Sequence, residues 1–220
     1  MSINFGREIC GDLDIASTRE WLVTNGIGGY ASGTVAGLLT RRYHGLLVAA
    51  LQPPLGRTLL LAKLDETVTY DRHLYALHAN RWSDGVVEPK GYLHIENFAL
   101  EGTVPTWKYA CADALLEKRI WMEQGKNTSY ISYALHRASG PLTISIKVLV
   151  NYRDYHSDTV AGSWQMQLSK VDRGICVTAY PEAMPFYLLS DRGDFSPSHN
   201  WITGFDLAME RYRGLRDRED

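Results

Sequence analysis

Two short polar clusters hold the residue types in this sequence that could do chemistry. The first is Arg41-Arg42-Tyr43-His44, lodged between Thr40 and the apolar run Gly45 to Leu51. Read as the start of a strand, it puts Arg41 and Tyr43 on one face and Arg42 and His44 on the other. A buried arginine is almost never left unpaired. The acids that offer themselves are Asp65 and Glu66, in the neighbouring strand-like run Leu60 to Glu66. A structural ion-pair network and a ligand-contact role both fit this cluster. The second cluster is Asn151-Tyr152-Arg153-Asp154-Tyr155-His156, directly after an apolar strand pattern. Polar residues at a strand end lie where sites tend to form, on loops held by a rigid scaffold. Asp154 and His156 have the types of an acid/base pair. No Ser or Cys beside them has the setting of an activated nucleophile, so a triad finds no support.

A third stretch imitates a cofactor site. Gly26-Ile27-Gly28-Gly29-Tyr30-Ala31 fits the GxGxxA form of a dinucleotide fingerprint. That fingerprint works by holding a pyrophosphate on a helix N-terminus, with an acid about 20 residues on for the ribose. Ala31 to Leu39 is small, Gly-interrupted and β-branched, which makes a poor helix. No Asp or Glu lies between Glu20 and Asp65. A nicotinamide or flavin role is set aside, and no cofactor is expected. The structural reading is better: glycines 26, 28 and 29 make a tight connection, and 33 and 37 let backbones approach within a sheet.

No metal site is expected either. His73, His78, His94, His136 and His199 are scattered without ligand spacing, and Cys10, Cys111 and Cys176 are far apart and odd in number. Such cysteines read as reduced packing residues. The chain carries 6 Trp and 13 Tyr, most of them suited to half-buried strand positions. A minority can form a carbohydrate platform, because pyranose C–H patches suit the negative face of an aromatic ring. Trp82, Trp107 and Trp121 are the candidates.

The elements that position these residues read as strands. Short β-branched and aromatic runs fall near 20–24, 30–39, 43–51, 58–70, 91–100, 114–123, 128–136, 142–152, 164–169, 174–180 and 185–190. Thr128 to His136 alternates, with Tyr130, Tyr133 and Leu135 among Ser and Thr. Leu142, Ile144, Ile146 and Val148 share one face of the next run. Turn residues such as Ser83-Asp84-Gly85, Gly125-Lys126-Asn127 and Asp172-Arg173-Gly174 separate the runs. The expected class is all-β: a large antiparallel β-sandwich with little helix. The sandwich is expected over residues 1–200. The charged stretch 201–220 reads as the start of a linker.

Length and charge bound the rest. At 220 residues the chain is long enough for a sizeable core without a disulfide or metal staple. Its net charge of −2 gives no electrostatic footprint for nucleic acid or an anionic membrane. A neutral polysaccharide would need none. The N-terminus has no apolar signal core, and no run approaches the length of a membrane span. A soluble, cytoplasmic protein is expected.

Several blocks resemble the N-terminal domain of bacterial-type glycogen-debranching enzymes. They are Glu20-Trp21-Leu22-Val23-Thr24-Asn25-Gly26 with Gly28-Gly29-Tyr30-Ala31-Ser32-Gly33-Thr34, Thr40 to Ala49, and Leu61-Ala62-Lys63-Leu64-Asp65-Glu66. Asn151 to His156 matches a further block, and Glu210-Arg211 with Arg213-Gly214-Leu215 and Glu219-Asp220 looks like the stretch before the catalytic domain. The resemblance implies a β-supersandwich packed on an (α/α) toroid, in an enzyme that hydrolyses α-1,6 branch linkages of glycogen as an amylo-α-1,6-glucosidase. The resemblance implies that the catalytic carboxylates lie in the toroid, which is expected to fall outside these 220 residues. Glycoside hydrolysis normally needs two carboxyl groups flanking one bond. Asp65 and Glu66 are adjacent on a strand and so point to opposite faces. The implied role is therefore support: binding α-glucan and bracing the catalytic domain of the same chain. The residues expected to carry it are Asn25, Arg41, Arg42, Tyr43, His44, Asp65, Glu66, Arg153, Asp154 and His156. A stand-alone carbohydrate-binding module and a structural or homo-oligomerising module are the alternatives.

Overall fold

The computed structural model describes residues 3–220 and is an all-β protein. The elements in chain order are β1 (Ile3–Phe5), α1 (Arg7–Cys10), α2 (Leu13–Ala16), β2 (Glu20–Thr24), β3 (Tyr30–Thr34), β4 (Gly45–Gln52) and β5 (Leu55–Tyr70). Next come β6 (His73–Ala76), β7 (Ala79–Arg81), β8 (Val87–Lys90), β9 (Ile95–Glu101), β10 (Val104–Cys111), β11 (Ala114–Met122), β12 (Ser129–Arg137) and β13 (Leu142–Asp154). The chain closes with β14 (Gln167–Val171), β15 (Gly174–Thr178), β16 (Phe186–Leu189), β17 (Phe205–Asp206), α3 (Ala208–Tyr212) and β18 (Arg218–Glu219).

Two antiparallel sheets form the sandwich. One runs β1-β9-β10-β11-β12; the other runs β13-β5-β4-β3-β2, with β6 pairing the far end of β5. Strand periodicity builds the core between them. Trp107, Tyr109 and Cys111 point inward from β10, and Leu116, Ile120 and Met122 from β11. Trp21, Val23, Leu64, Val68 and Tyr70 meet them from the other sheet. Trp21 and Trp107 cross edge to face with ring centroids 5.4 Å apart. On β13, Leu142, Ile144 and Val148 pack on this core as their alternation predicts, whereas Ile146 is exposed.

The six-stranded sheet is covered on its other face as well. The small sheet β14-β15-β16 brings Ile175, Val177 and Phe186 against Ala49 and Leu60. That double burial explains why β4, and the stretch Leu59–Ala62 of β5, read as unbroken apolar runs. A register shift in the β5–β13 ladder leaves Ala62 unpaired between Leu61 and Lys63. Such a bulge re-aims the residues beyond it. Thereafter Leu64, Glu66 and Val68 face the main core, while Lys63 and Asp65 face the opposite side.

Differences from the sequence reading that concern whole elements include the short strands β1, β6, β7 and β8, which fall outside the runs read from the sequence. Val104–Cys111 is a central strand of its sheet, although Pro105 interrupts its pattern. The region 91–100 begins with a short 3-10 turn, Gly91–His94, before β9. Residues 201–220, read as the start of a linker, carry folded structure. There β17 pairs with β18, Trp82 bridges to Phe205, and Leu207 and Glu210 are fully buried. The three short helices fit the expected small helical content. No helix among the described residues is long and apolar enough to cross a membrane.

Candidate functional site: an arginine–tyrosine–histidine patch

The Arg41–His44 segment is a turn rather than the start of a strand. The His44 backbone N–H donates to the Arg41 carbonyl at 3.1 Å, and β4 begins only at Gly45. The turn overrides the alternation expected of a strand. Arg41 and His44 fall together, and Arg42 and Tyr43 fall together.

Arg41 and His44 share Glu20 on β2. The Arg41 Nε donates to Glu20 Oε1 at 2.6 Å, and His44 Nε2 lies 3.4 Å from the same oxygen. The Thr40 backbone N–H donates to His44 Nδ1 at 3.2 Å, which leaves the ring proton on Nε2, aimed at Glu20. The hydrogen bond from His44, with that from Arg41, pulls the Glu20 carboxyl down to about 2.

Arg42 turns the other way. Its guanidinium donates to the carbonyls of His156 at 2.8 Å and Arg216 at 3.2 Å. It also lies 3.5 Å from both Asp158 and the fully buried Glu210. The Arg42 backbone N–H donates to Glu210 Oε1 at 3.2 Å, and its carbonyl accepts from Arg153 at 2.8 Å. Arg153 in turn donates to Glu219 Oε1 at 2.6 Å. Asn151 and the Thr159 backbone N–H donate to that same oxygen at 3.2 and 3.3 Å. Burial pushes the Glu219 carboxyl up, against the pull of Arg153. The partners expected for the arginines, Asp65 and Glu66, are not the ones used. Those two acids sit on β5 among strong bonds of their own, while the strap β17-α3-β18 brings its carboxylates to the arginines.

Tyr43 carries the exposed part of the site. Its hydroxyl lies 3.1 Å from His156 Nδ1. Its ring meets Tyr155 and His156 edge-on, with centroids 5.7 and 5.5 Å apart. Tyr155 and His156 are 3.9 Å apart, and the Arg57 guanidinium lies over Tyr155 at 5.5 Å. The Tyr43 backbone is fixed from beneath, because Tyr30 and Ser32 hydroxyls donate to its carbonyl at 3.0 and 3.3 Å. Asp154 forms no acid/base pair with the His156 ring. Its Oδ1 accepts from the His156 backbone N–H at 2.8 Å and shapes the turn.

The remaining expected residues lie elsewhere. Asn25 is completely buried and braces the glycine-rich loop. Its Oδ1 accepts from the backbone N–H groups of Ile27 and Gly29 at 3.1 and 2.9 Å, and its Nδ2 donates to Lys126 O and Asn127 Oδ1, both at 3.0 Å. A Cβ on Gly29 would stand 2.5 Å from Asn25 Nδ2 and 3.0 Å from the Val48 carbonyl. The loop then enters β3 rather than a helix, so it offers no pyrophosphate cradle. Asp65 pairs with Lys63 at 3.1 Å and accepts from Asn80 at 2.9 Å. Glu66, on the opposite face, binds Lys118 and accepts from the Tyr133 hydroxyl at 2.7 Å. Of the aromatic candidates, Trp107 is core, Trp82 is half-buried and packs on Phe205 at 5.2 Å, and Trp121 is half-buried at the surface.

The structure thus brings Arg42, Tyr43, Arg153, Asp154 and His156 into one patch, with Arg41 and His44 flanking it. Sequence reasoning missed Glu20, Asp158 and Arg57 as members, and the strap's Glu210 and Glu219 as the arginines' partners. No local spacing shows those long-range pairs. Tyr and His rings beside buried arginines can hold a neutral hydroxylated ligand by ring contact and hydrogen bonding. The buried acids around them are engaged by structural partners. No group of three or more His, Cys, Asp or Glu among the described residues could hold a metal ion.

A family model described as glycogen debranching enzyme N terminal matches residues 19–220. No curated protein and no solved structure matches the chain.

Proposed function

The chain belongs to the family of glycogen debranching enzyme N-terminal domains, and from that premise we propose that it serves such an enzyme without cleaving bonds itself. In this reading the domain holds α-glucan and braces the catalytic domain of the same chain, which hydrolyses the α-1,6 branch linkages. The work takes place in the cytoplasm and needs no cofactor. The observation that supports it most is the patch formed by Tyr43, Tyr155 and His156. Its rings reach solvent while their backbones are fixed by Tyr30, Ser32, Arg42 and Asp154. A site pre-organised in this way binds without a large ordering cost.

A non-catalytic role is supported by the fate of the buried acids. Asp65, Glu66, Glu210 and Glu219 each face a Lys or Arg partner. None stands with a second carboxyl across an open cleft, as glycoside hydrolysis requires.

Affinity electrophoresis in gels containing glycogen tests the reading. Retardation of the wild-type chain is expected. Tyr43→Ala and His156→Ala should weaken it by about tenfold each, a loss of roughly 1.4 kcal/mol, with little change in melting temperature. Free migration of the wild-type protein at high glycogen concentration would refute glucan binding. The alternative of an oligomerising module has its own observation: Tyr187 and Leu189 project together from β16 and are 58% and 64% exposed. Sedimentation of a dimer, with no glycogen retardation, would favour it.

A further inference from the structure

A second surface feature lies apart from the arginine patch. Where β2 passes the β9–β10 turn and the end of β11, the structure leaves an open cleft of about 250 Å³. Leu22, Thr24, Thr103, Val104, Trp121 and Gln124 line it, and every residue lining it is uncharged. Drug-sized ligands occupy pockets of roughly 300 Å³ and upward, so this cleft suits one small ring. An uncharged lining holds no counter-charge for an ionic ligand. Its mixture of an indole, aliphatic side chains, two threonine hydroxyls and an amide matches a molecule with both C–H and O–H surface.

The indole is held firmly. Trp121 and Tyr130 face each other across the β11–β12 ladder, their rings stacked at 5.4 Å and only 11° from parallel. The Tyr130 hydroxyl donates to Glu123 at 3.0 Å, and Glu123 is bound by Lys126 at 2.6 Å. Gln124 is fixed on the other side, its Nε2 donating to the Thr24 carbonyl at 2.8 Å. This bracing explains how a large aromatic side chain stays in place at the surface. An immobilised indole is a better platform than a mobile one, because less rotamer freedom is lost on binding.

We propose that the Trp121 cleft is a separate subsite for a single neutral pyranose of an α-glucan, stacked on the indole and hydrogen-bonded at the rim by Thr24, Thr103 and Gln124. The proposal rests on the reading that this chain meets α-glucan. It adds a second contact point, on the other flank of the glycine-rich loop from Tyr43. That loop joins the two regions: its Gly28 carbonyl accepts from Arg57, which covers Tyr155, and Thr24 at its start accepts from Gln124.

Indole resonances report the site directly, since the chain has only 6 Trp to assign. On titration with maltoheptaose, the Trp121 indole N–H resonance moves and saturates. Trp121→Ala raises the Kd about tenfold. Leu22→Arg, at a side chain 59% exposed and therefore harmless to folding, places a charge on the neutral rim and raises the Kd to a similar extent. The proposal is overturned if glycogen still retards the wild-type chain while the Trp121 resonance stays still and Leu22→Arg binds normally. The functional reading above then survives without this subsite. If neither glycogen nor maltoheptaose binds the wild-type chain, both readings fall together.

Discussion

Arg42 and Glu210 stand 168 positions apart in the chain, yet the Arg42 backbone N–H donates to a carboxyl oxygen of Glu210 and its guanidinium lies 3.5 Å from the other. Glu210 has no exposed surface. Removing one member of a buried pair costs up to about 3–5 kcal/mol, and here Arg213, 3.5 Å from the same carboxylate, would offset only part of the lost charge. Arg42→Ala should therefore lower the urea midpoint strongly. Arg42→Lys should recover only part of the loss, since an ammonium cannot reach both carbonyls and the carboxylate in one plane. Equal midpoints for wild type and Arg42→Ala would remove Glu210 from the account.

Acid should weaken the Glu20 junction. Its carboxyl titrates near 2 in the folded protein against an ordinary value of 4.5. A depressed carboxyl contributes stability that is present above 4.5 and lost as the pH falls from there towards 2. Urea unfolding at pH 6 and pH 3 should show a smaller acid-induced loss in Glu20→Gln than in the wild type. An equal loss in both proteins would show that the carboxyl does not report the His44 and Arg41 contacts.

The glycine-rich loop should be intolerant of even one methyl group. Gly29→Ala directs a Cβ at Asn25, Asn127 and the carbonyl of Val48, and the last belongs to a central strand that cannot yield. Overpacking of this kind costs about 1–3 kcal/mol, and each kcal/mol lowers the melting temperature by roughly 2–4 °C in a chain of this size. A thermal melt indistinguishable from wild type would mean that the loop has room this geometry denies.

The core ion pair should behave as a unit. Lys118 binds Glu66 between the two sheets and sits 5.8 Å from the centre of the Trp107 ring. Lys118→Met alone strands a buried carboxylate and should cost about 3–5 kcal/mol. Combining it with Glu66→Met should restore most of that loss, because a well-packed apolar pair often matches a buried salt bridge. Additive losses in a double-mutant cycle would contradict the coupling.

Much of the fold was legible because period two is a local property. The strands at Glu20–Thr24, Ala114–Met122 and Ser129–Arg137 agree with the runs read from sequence. Val104–Cys111 falls outside the runs read, although Trp107, Tyr109 and Cys111 alternate inward; its Pro105 is a residue seldom found in a central strand. At the site, the residue types and their strand-end location were readable. The partners were not. Arg42 and Arg153 draw on the strap, and the acids nearest in the sequence pattern, Asp65 and Glu66, are consumed by Lys63 and Lys118. The face assignment failed for a local reason, since a single backbone bond from His44 to Arg41 turns the strand into a bend.

The strap also sets an order of events. Its bonds join Glu210 and Glu219 to Arg42 and Arg153, across 168 and 66 positions. Contacts of such separation are slow to form, because the intervening loop must be closed before they contribute. Until the strap arrives, Arg153 lacks the carboxylate of Glu219 and Arg42 has Asp158 but not Glu210. The patch is therefore built early as a sequence but becomes rigid late as a structure, and the last elements of the described chain to be synthesised act as its latch.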